Sequence, residues 1–309
     1  DFGQTYYWRV DEVNAAPDGF IHKGDVWGFT VEPYAYPITP IDATASSRVS
    51  KTLMGPERTI NERGLTGDQH STDILDMWVS SVSAPDPAWI QYEFDRVYKM
   101  HELWVWNSNQ ATEGTLVNYG AREVAVECST DGATWTAVAD VPEFAQATGR
   151  PDYTHNTTVN LDGLLARYVR LTMKSSWSGA RPYSLSEVRF FQAPMRAFQP
   201  DPIHGGAGVG LDATLSWRPG REAVSHEVYI GTDPNTLSLA QTVAEHQVAL
   251  ASLGAGYGKT YYWRVDEVNE AAAVRSWTGD LWSLSTAEYE VVDDFESYND
   301  RCNRVYYAW

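Results

Sequence analysis

At 309 residues the chain has room for two or three domains. Its 23 basic against 41 acidic side chains leave a net charge of −18, which disfavours nucleic-acid phosphates and anionic membrane surfaces as partners. The 13 Trp and 18 Tyr are rigid, amphipathic rings that serve equally as sandwich core and as stacking platforms for sugars. The acidity keeps such a chain soluble, and it also suits salty or calcium-containing water, where clustered oxygens hold hard cations. Two cysteines, Cys128 and Cys302, make no disulfide framework. No apolar run approaches the roughly 20 residues of a membrane span.

The chain opens on Asp1-Phe2-Gly3-Gln4, which reads as the interior of a domain. Thr5–Asn14 recurs letter for letter as Thr260–Asn269, and Gly24-Asp25-Val26-Trp27 recurs as Gly279-Asp280-Leu281-Trp282, both at an offset of 255. In each copy apolar and polar side chains alternate, the period-two signal of a half-buried strand, and a turn leads to a second strand. Tyr6, Trp8, Val10, Trp27 and Phe29 are expected to face a core. The other strands of that core are not among residues 1–34. A strand pair alone is marginal in water, so a neighbouring copy or further polypeptide is expected to cover this face.

Residues 35–195 are rich in short strands and turns. Trp89-Ile90-Gln91-Tyr92-Glu93-Phe94 and Leu103-Trp104-Val105-Trp106 alternate. Val124–Ser129 runs through Asp131-Gly132 into Thr134–Val138, a strong hairpin signal. Arg167–Thr172 and Glu187–Phe191 close the region, and no helical period is sustained. The ordered set resembles the discoidin, or coagulation-factor type C, family, to which many bacterial carbohydrate-binding modules belong. It comprises Ala43-Thr44-Ala45-Ser46-Ser47, Trp89-Ile90-Gln91-Tyr92, Ser129–Trp135, Ala166–Leu171 and Leu185-Ser186-Glu187-Val188. The resemblance implies an eight-stranded jelly-roll sandwich with function in the loops at one end.

That resemblance also implies a structural calcium, held between an early loop and a late Glu. Here the loop is Thr59–Ser71, and Asn61, Asp68, Ser71 and Glu187 are the expected oxygen donors, with backbone carbonyls completing six to eight ligands. The chain departs from the family pattern with Glu62 and Arg63, where Gly or Ser is usual. For a sugar site, an aromatic ring must meet C–H groups and polar side chains must meet hydroxyls. The loops Trp106–Gln110 and Ser175–Tyr183 offer that mixture. Trp106, Asn107, Asn109, Trp177, Arg181 and Tyr183 are the expected ligand contacts. Trp106 can equally be core. Trp177 has only Ser and Gly around it and is expected at the surface. His70 is read as structural.

Residues 196–288 carry Leu215-Ser216-Trp217, Val228-Tyr229-Ile230-Gly231 and Gly258–Val265. These resemble a bacterial fibronectin type III-like module, with Tyr261 where such sandwiches keep a corner tyrosine bonded to the backbone. Residues 1–34 then correspond to the C-terminal part of the same module. Val291–Tyr298 resembles the start of a laminin G or concanavalin-like module, so residues 289–309 are expected to open one.

No catalytic signature is present. The chain lacks a Gly-x-Ser-x-Gly elbow, a His-Glu-x-x-His pair and a Walker loop. Gly205–Gly210 follows Pro200-Asp201-Pro202 and opens no helix, and the seven His show no metal spacing. The expectation is an all-β chain of tandem sandwiches: a non-catalytic, glycan-binding and spacer region of a secreted multi-modular protein. A structural spacer or adhesion region that binds no glycan is the alternative.

Overall fold

The computed structural model describes residues 1–290 apart from 15, 17, 18, 51, 84, 85 and 112–115. The segment expected to open a laminin G-like module lies almost wholly outside the described residues. The chain is all-β; among the described residues the helical elements are 3₁₀ turns such as Pro56–Thr59. It divides into two compact units, Asp1–Ala193 and Pro194 onward.

The first unit begins with β1 (Thr5–Trp8) paired to β2 (Trp27–Thr30). β3 (Ile41–Ala45) follows, then the 20-residue β4 (Ala88–Asn107). After it come β5 (Val124–Ser129), β6 (Thr136–Ala137), β7 (Thr157–Asn160), β8 (Leu165–Met173) and β9 (Ser184–Ala193). β4 serves two sets of partners. Its first half pairs with β3 and β8, its second half with β7 and β9, all antiparallel. The register with β8 breaks between Glu93 and Tyr98. Before the break Ala88, Ile90, Tyr92 and Phe94 point inward; after it Met100, Leu103 and Val105 do. One core therefore collects both halves, joined by Val126, Val169, Leu171, Val188 and Phe190. Along Ala88–Phe94 of β4, Val124–Cys128 of β5 and Val169–Met173 of β8, the alternation read in the sequence is the alternation of burial.

The second unit has a three-stranded sheet of β10 (Phe198–Asp201), β12 (Thr214–Arg218) and β15 (Gln247–Ala249). Facing residues come from β11 (Gly206–Val209), β13 (Ser225–Gly231), β14 (Ser238–Val243), β16 (Thr260–Val268) and β17 (Trp282–Thr286). The Gly-rich run is thus a strand, parallel to β17. Leu215, Trp217, Val248 and Leu250 meet Val228, Tyr261, Trp263, Val265, Trp282 and Leu284 in a closed core. The Tyr261 hydroxyl accepts the Gly256 N–H at 2.9 Å, the corner bond expected of it.

Leu103 is completely enclosed. Leu103→Ala should cost about 2–5 kcal/mol, seen as a lower urea midpoint at unchanged slope. Trp8, half in water, should cost under about 1 kcal/mol as Trp8→Ala in the same measurement.

Candidate functional site

Beyond Val105 the alternation of β4 stops, and Trp106, Asn107, Ser108 and Asn109 are all buried. The strand end runs beneath the loops instead of ending in solvent. A buried carboxamide must fill its hydrogen-bonding capacity, and these two do so with loop backbone. Asn109 Nδ2 donates to the carbonyls of His70, Ser71 and Arg150 at 2.8–3.2 Å, and its Oδ1 accepts Gly149 N–H at 2.9 Å. Asn107 Nδ2 donates to Ala121 and Ala145 carbonyls at 2.7 and 2.9 Å. The Asn107 backbone N–H donates to the Tyr153 hydroxyl, which donates to Asn156 Oδ1. Trp106 donates its indole N–H to the Asp68 carbonyl at 2.8 Å, and the Arg189 guanidinium lies over its ring.

These contacts correct the expectation for Trp106, Asn107 and Asn109. They are interior brackets that lock the loops and offer no surface to a ligand. Tyr183 is also interior; its backbone exchanges hydrogen bonds with Ser80. The polar character of Asn107 and Asn109 suggested exposure because one sequence cannot show which carbonyls fold over a strand end.

Trp177 and Arg181 are partly exposed. The Trp177 indole N–H donates to the Phe144 carbonyl at 3.0 Å, and Arg122, ion-paired with Glu143, lies 5.0 Å from its ring centre. The ring is therefore held rigidly at the rim. Arg181 pairs with Asp86 at 2.9 Å. Beneath the same loops Gln146 Nε2 donates to Asn118 Oδ1 at 2.6 Å, and Asn156 Nδ2 donates to the Gln146 carbonyl. Thr148, Arg150, Asp152, Tyr153, Thr154 and Asn156 line an open depression of about 480 Å³. None of these was named from sequence; the Gly149-Arg150-Pro151-Asp152 turn was the available signal, since turns between strands carry exposed function.

The expected cation loop gathers only in part. Pro56–Thr59 is fixed to the core because the Tyr92 hydroxyl meets Thr59 Oγ1 at 3.0 Å, and Thr59 donates to the Pro56 carbonyl. The chain then turns over Glu187 with Glu62 at φ +57°. Gly64, at φ +92°, is needed because a Cβ there would come 2.9 Å from Asp76 Cβ. The Glu62 N–H donates to Glu187 Oε1 at 3.3 Å, while Oε2 is buried without a partner. Asn61 Oδ1 accepts Arg63 N–H. Asp68 is turned to Arg189 and Ser71 to Asp76, so these two do not join Glu187; ion pairing and hydrogen bonding within the loop hold them elsewhere. Arg63 also bonds Asp76. Among the described residues no three His, Cys, Asp or Glu side chains form a metal cluster. Glu187 with a neutral-oxygen turn still fits a hard cation, because its buried Oε2 has no hydrogen-bond partner.

Burial pushes the Glu187 carboxyl up to about 8, opposed by the Glu62 N–H and Arg189. Burial also holds His70 below its usual range; its Nδ1–H donates to the Ser71 carbonyl at 3.0 Å.

Residues 42–188 match the F5/8 type C domain family. Among curated proteins no match was found. Solved structures with a similar chain path include a family 89 glycoside hydrolase from Clostridium perfringens, at 16% identity and TM-score 0.34. That match covers 51% of this chain, which spans only 14% of the enzyme. A CBM32 module of a Clostridium perfringens family 89 enzyme, in complex with GalNAc-β-1,3-galactose, has 15% identity and TM-score 0.35 over 48% of this chain and 94% of its own. The family 32 module of Clostridium perfringens NanJ, in complex with galactose, has 15% identity and TM-score 0.33 over 51% of this chain and 99% of its own.

Two outcomes follow from this geometry. Asn109→Ala leaves several loop groups unpaired and should lower stability by about 3 kcal/mol, whereas Arg150→Ala should change it by under about 0.5 kcal/mol, both by urea unfolding. For Glu187 the folded carboxyl titrates above its unfolded value, so its neutral form favours folding. That contribution is full below about 4.5 and disappears as pH rises through about 8. In chelator, the melting temperature should therefore fall across that window, and Glu187→Gln should flatten the fall.

Proposed function

We propose that residues 42–188, an F5/8 type C domain, act as a non-catalytic carbohydrate-binding module. Its sugar sits at the rim formed by residues 144–156 and 175–181. The observation that supports this reading is the braced, part-exposed Trp177 ring. Its loop is tied through Phe144, and through Ser178, Asn118 and Gln146, to the segment whose Thr148, Arg150 and Asp152 line the polar depression. A ring held by Phe144 and Arg122 can take the C–H face of a sugar without losing side-chain freedom on binding. Arg150, Asp152 and Asn156 supply donors and acceptors for hydroxyls. Because Asn107 and Asn109 fix these loops from below, the site is preorganised.

The wider assignment is a glycan-binding and spacer region of a secreted multi-modular protein. The second unit, with its corner tyrosine, acts as a fibronectin type III-like spacer. The central strands form the eight-stranded jelly roll of the discoidin type. A calcium ion belongs at Glu187: its carboxylate and Asn61, with carbonyls of the Thr59–Gly64 turn, are the donors. Bound calcium keeps Glu187 ionised and ties the turn to β9.

A glycan array probed with the full chain should show binding, with galactose- and N-acetylgalactosamine-bearing glycans tested first. Trp177→Ala and Arg150→Ala should each weaken binding by about tenfold or more, with melting unchanged in Arg150→Ala and lowered in Trp177→Ala by the lost Phe144 bond and Arg122 contact. Binding that survives both changes would move the site elsewhere. No binding to any glycan would favour the structural spacer or adhesion reading.

Removing calcium with chelator should lower the melting temperature, and Glu187→Gln should abolish the difference between chelated and calcium-loaded protein. Equal melts with and without calcium would remove the ion from this account.

A further inference from the structure

The two copies of the repeat fold alike but are buried differently. In β1–β2 the cross-strand pairs are Trp8 with Trp27 and Tyr6 with Phe29; in β16–β17 they are Trp263 with Trp282 and Tyr261 with Leu284, the same positions at the offset of 255. Both tryptophan pairs have ring centres 4.7 Å apart. Thr5 and Thr30 hydroxyls meet at 2.9 Å, as Thr260 and Ser285 hydroxyls do. The Asp1 nitrogen donates to the Tyr6 hydroxyl, as Gly256 N–H donates to that of Tyr261. Gly24 N–H bonds Asp11 as Gly279 N–H bonds Asp266. Gly24 and Gly279 each pass so close to the carbonyl of Val10 or Val265 that a Cβ would collide with it.

Burial separates the copies. Trp263 is 0% exposed and Trp8 50%; Trp282 is 6% and Trp27 47%; Val265 is 0% and Val10 56%. In the second unit the covering side chains are Leu215, Trp217, Val228, Val248 and Leu250, all from residues 194–255. The buried Glu267 shows the same dependence. Its carboxylate meets His226 and the Gly220 N–H from that layer, whereas its counterpart Glu12 is exposed.

We infer that the Tyr6, Trp8, Val10, Trp27 and Phe29 face is a preformed half-core whose occupant is a β-layer of the residue 194–255 type, presenting a Leu-x-Trp strand and a Val-x-Leu strand. The preserved registers carry this assignment. A face built for a different partner has no reason to keep the cross-strand pairs, corner bond and glycine contact of a complete core. A second copy of the hairpin is a poorer match, because it offers another Trp pair instead of the Leu215, Trp217 and Leu250 shapes.

The test is to fuse residues 194–255 directly ahead of Asp1 in the full chain, which keeps the offset of 255. Hydrogen exchange is read at Val26–Thr30, a segment whose sequence is unique in the chain. Exchange there should slow by about 100-fold relative to the unfused chain. With Leu215→Glu and Trp217→Glu in the added segment only, the slowing should vanish. Exchange unchanged by the fusion overturns the inference, as does protection that survives both Glu changes. Light scattering of the unfused chain should report a monomer. A dimer that Trp8→Glu dissociates would make a second copy the occupant and overturn the inference too.

Discussion

The first unit depends on one strand belonging to both of its halves. Ala88–Asn107 pairs with β3 and β8 before the register break and with β7 and β9 after it. The inward side chains of both halves therefore meet in one core. A continuous strand fixes the separation and orientation of those halves more tightly than a loop could. It also fixes where its own end lies. That end is the Trp106–Asn109 segment, so the loops that fold over it inherit their positions from the core.

This explains why polar residues at the strand end are structural. Asn107 and Asn109 each tie several loops to one point. Each also satisfies carbonyls that a closed loop cluster would otherwise bury unpaired. The exposed side chains of these loops, Arg150 and Asp152 among them, and the part-exposed Trp177 lie outside that layer. Glu187 is the electrostatic counterpart: a carboxylate placed in the interior by β9, with one oxygen bonded by a turn and the other unpaired. Its raised titration expresses its burial, which the Glu62 N–H and the Arg189 charge offset only in part.

The repeated hairpin separates two contributions that are usually inseparable. A shared ten-residue run, Thr5–Asn14 and Thr260–Asn269, with a Gly-Asp-x-Trp segment after it, produces the same strand pairing, the same Trp pair and the same corner bond in both units. It does not produce the same burial. Cross-strand contacts, hydroxyl pairs and glycine approaches are local to some thirty residues. The closed core around Trp263 is made by residues from β12, β13 and β15, which the hairpin cannot specify.

Strand alternation in Trp89–Phe94, the Asp131-Gly132 hairpin and the letter-for-letter repeat were legible without coordinates, because they follow from local periodicity and turn chemistry. The all-β class was legible for the same reason, whereas the F5/8 type C pattern was legible only as a resemblance carried by the ordered segments from Ala43–Ser47 to Leu185–Val188. Trp177 was placed at the surface by its Ser and Gly neighbours, and it is partly exposed. The roles of Trp106, Asn107, Asn109 and Tyr183 were not legible. An aromatic or amide side chain at a strand end reads the same whether loops cover it or solvent does. Asp68 and Ser71 likewise had the right oxygens, but Arg189 and Asp76 claimed them. By itself the sequence determined which residues form strands and which of their faces are apolar, since both depend on neighbours two to five positions away. Only the tertiary structure decided which polar groups are buried, because that depends on carbonyls and charges brought in from loops tens of residues distant.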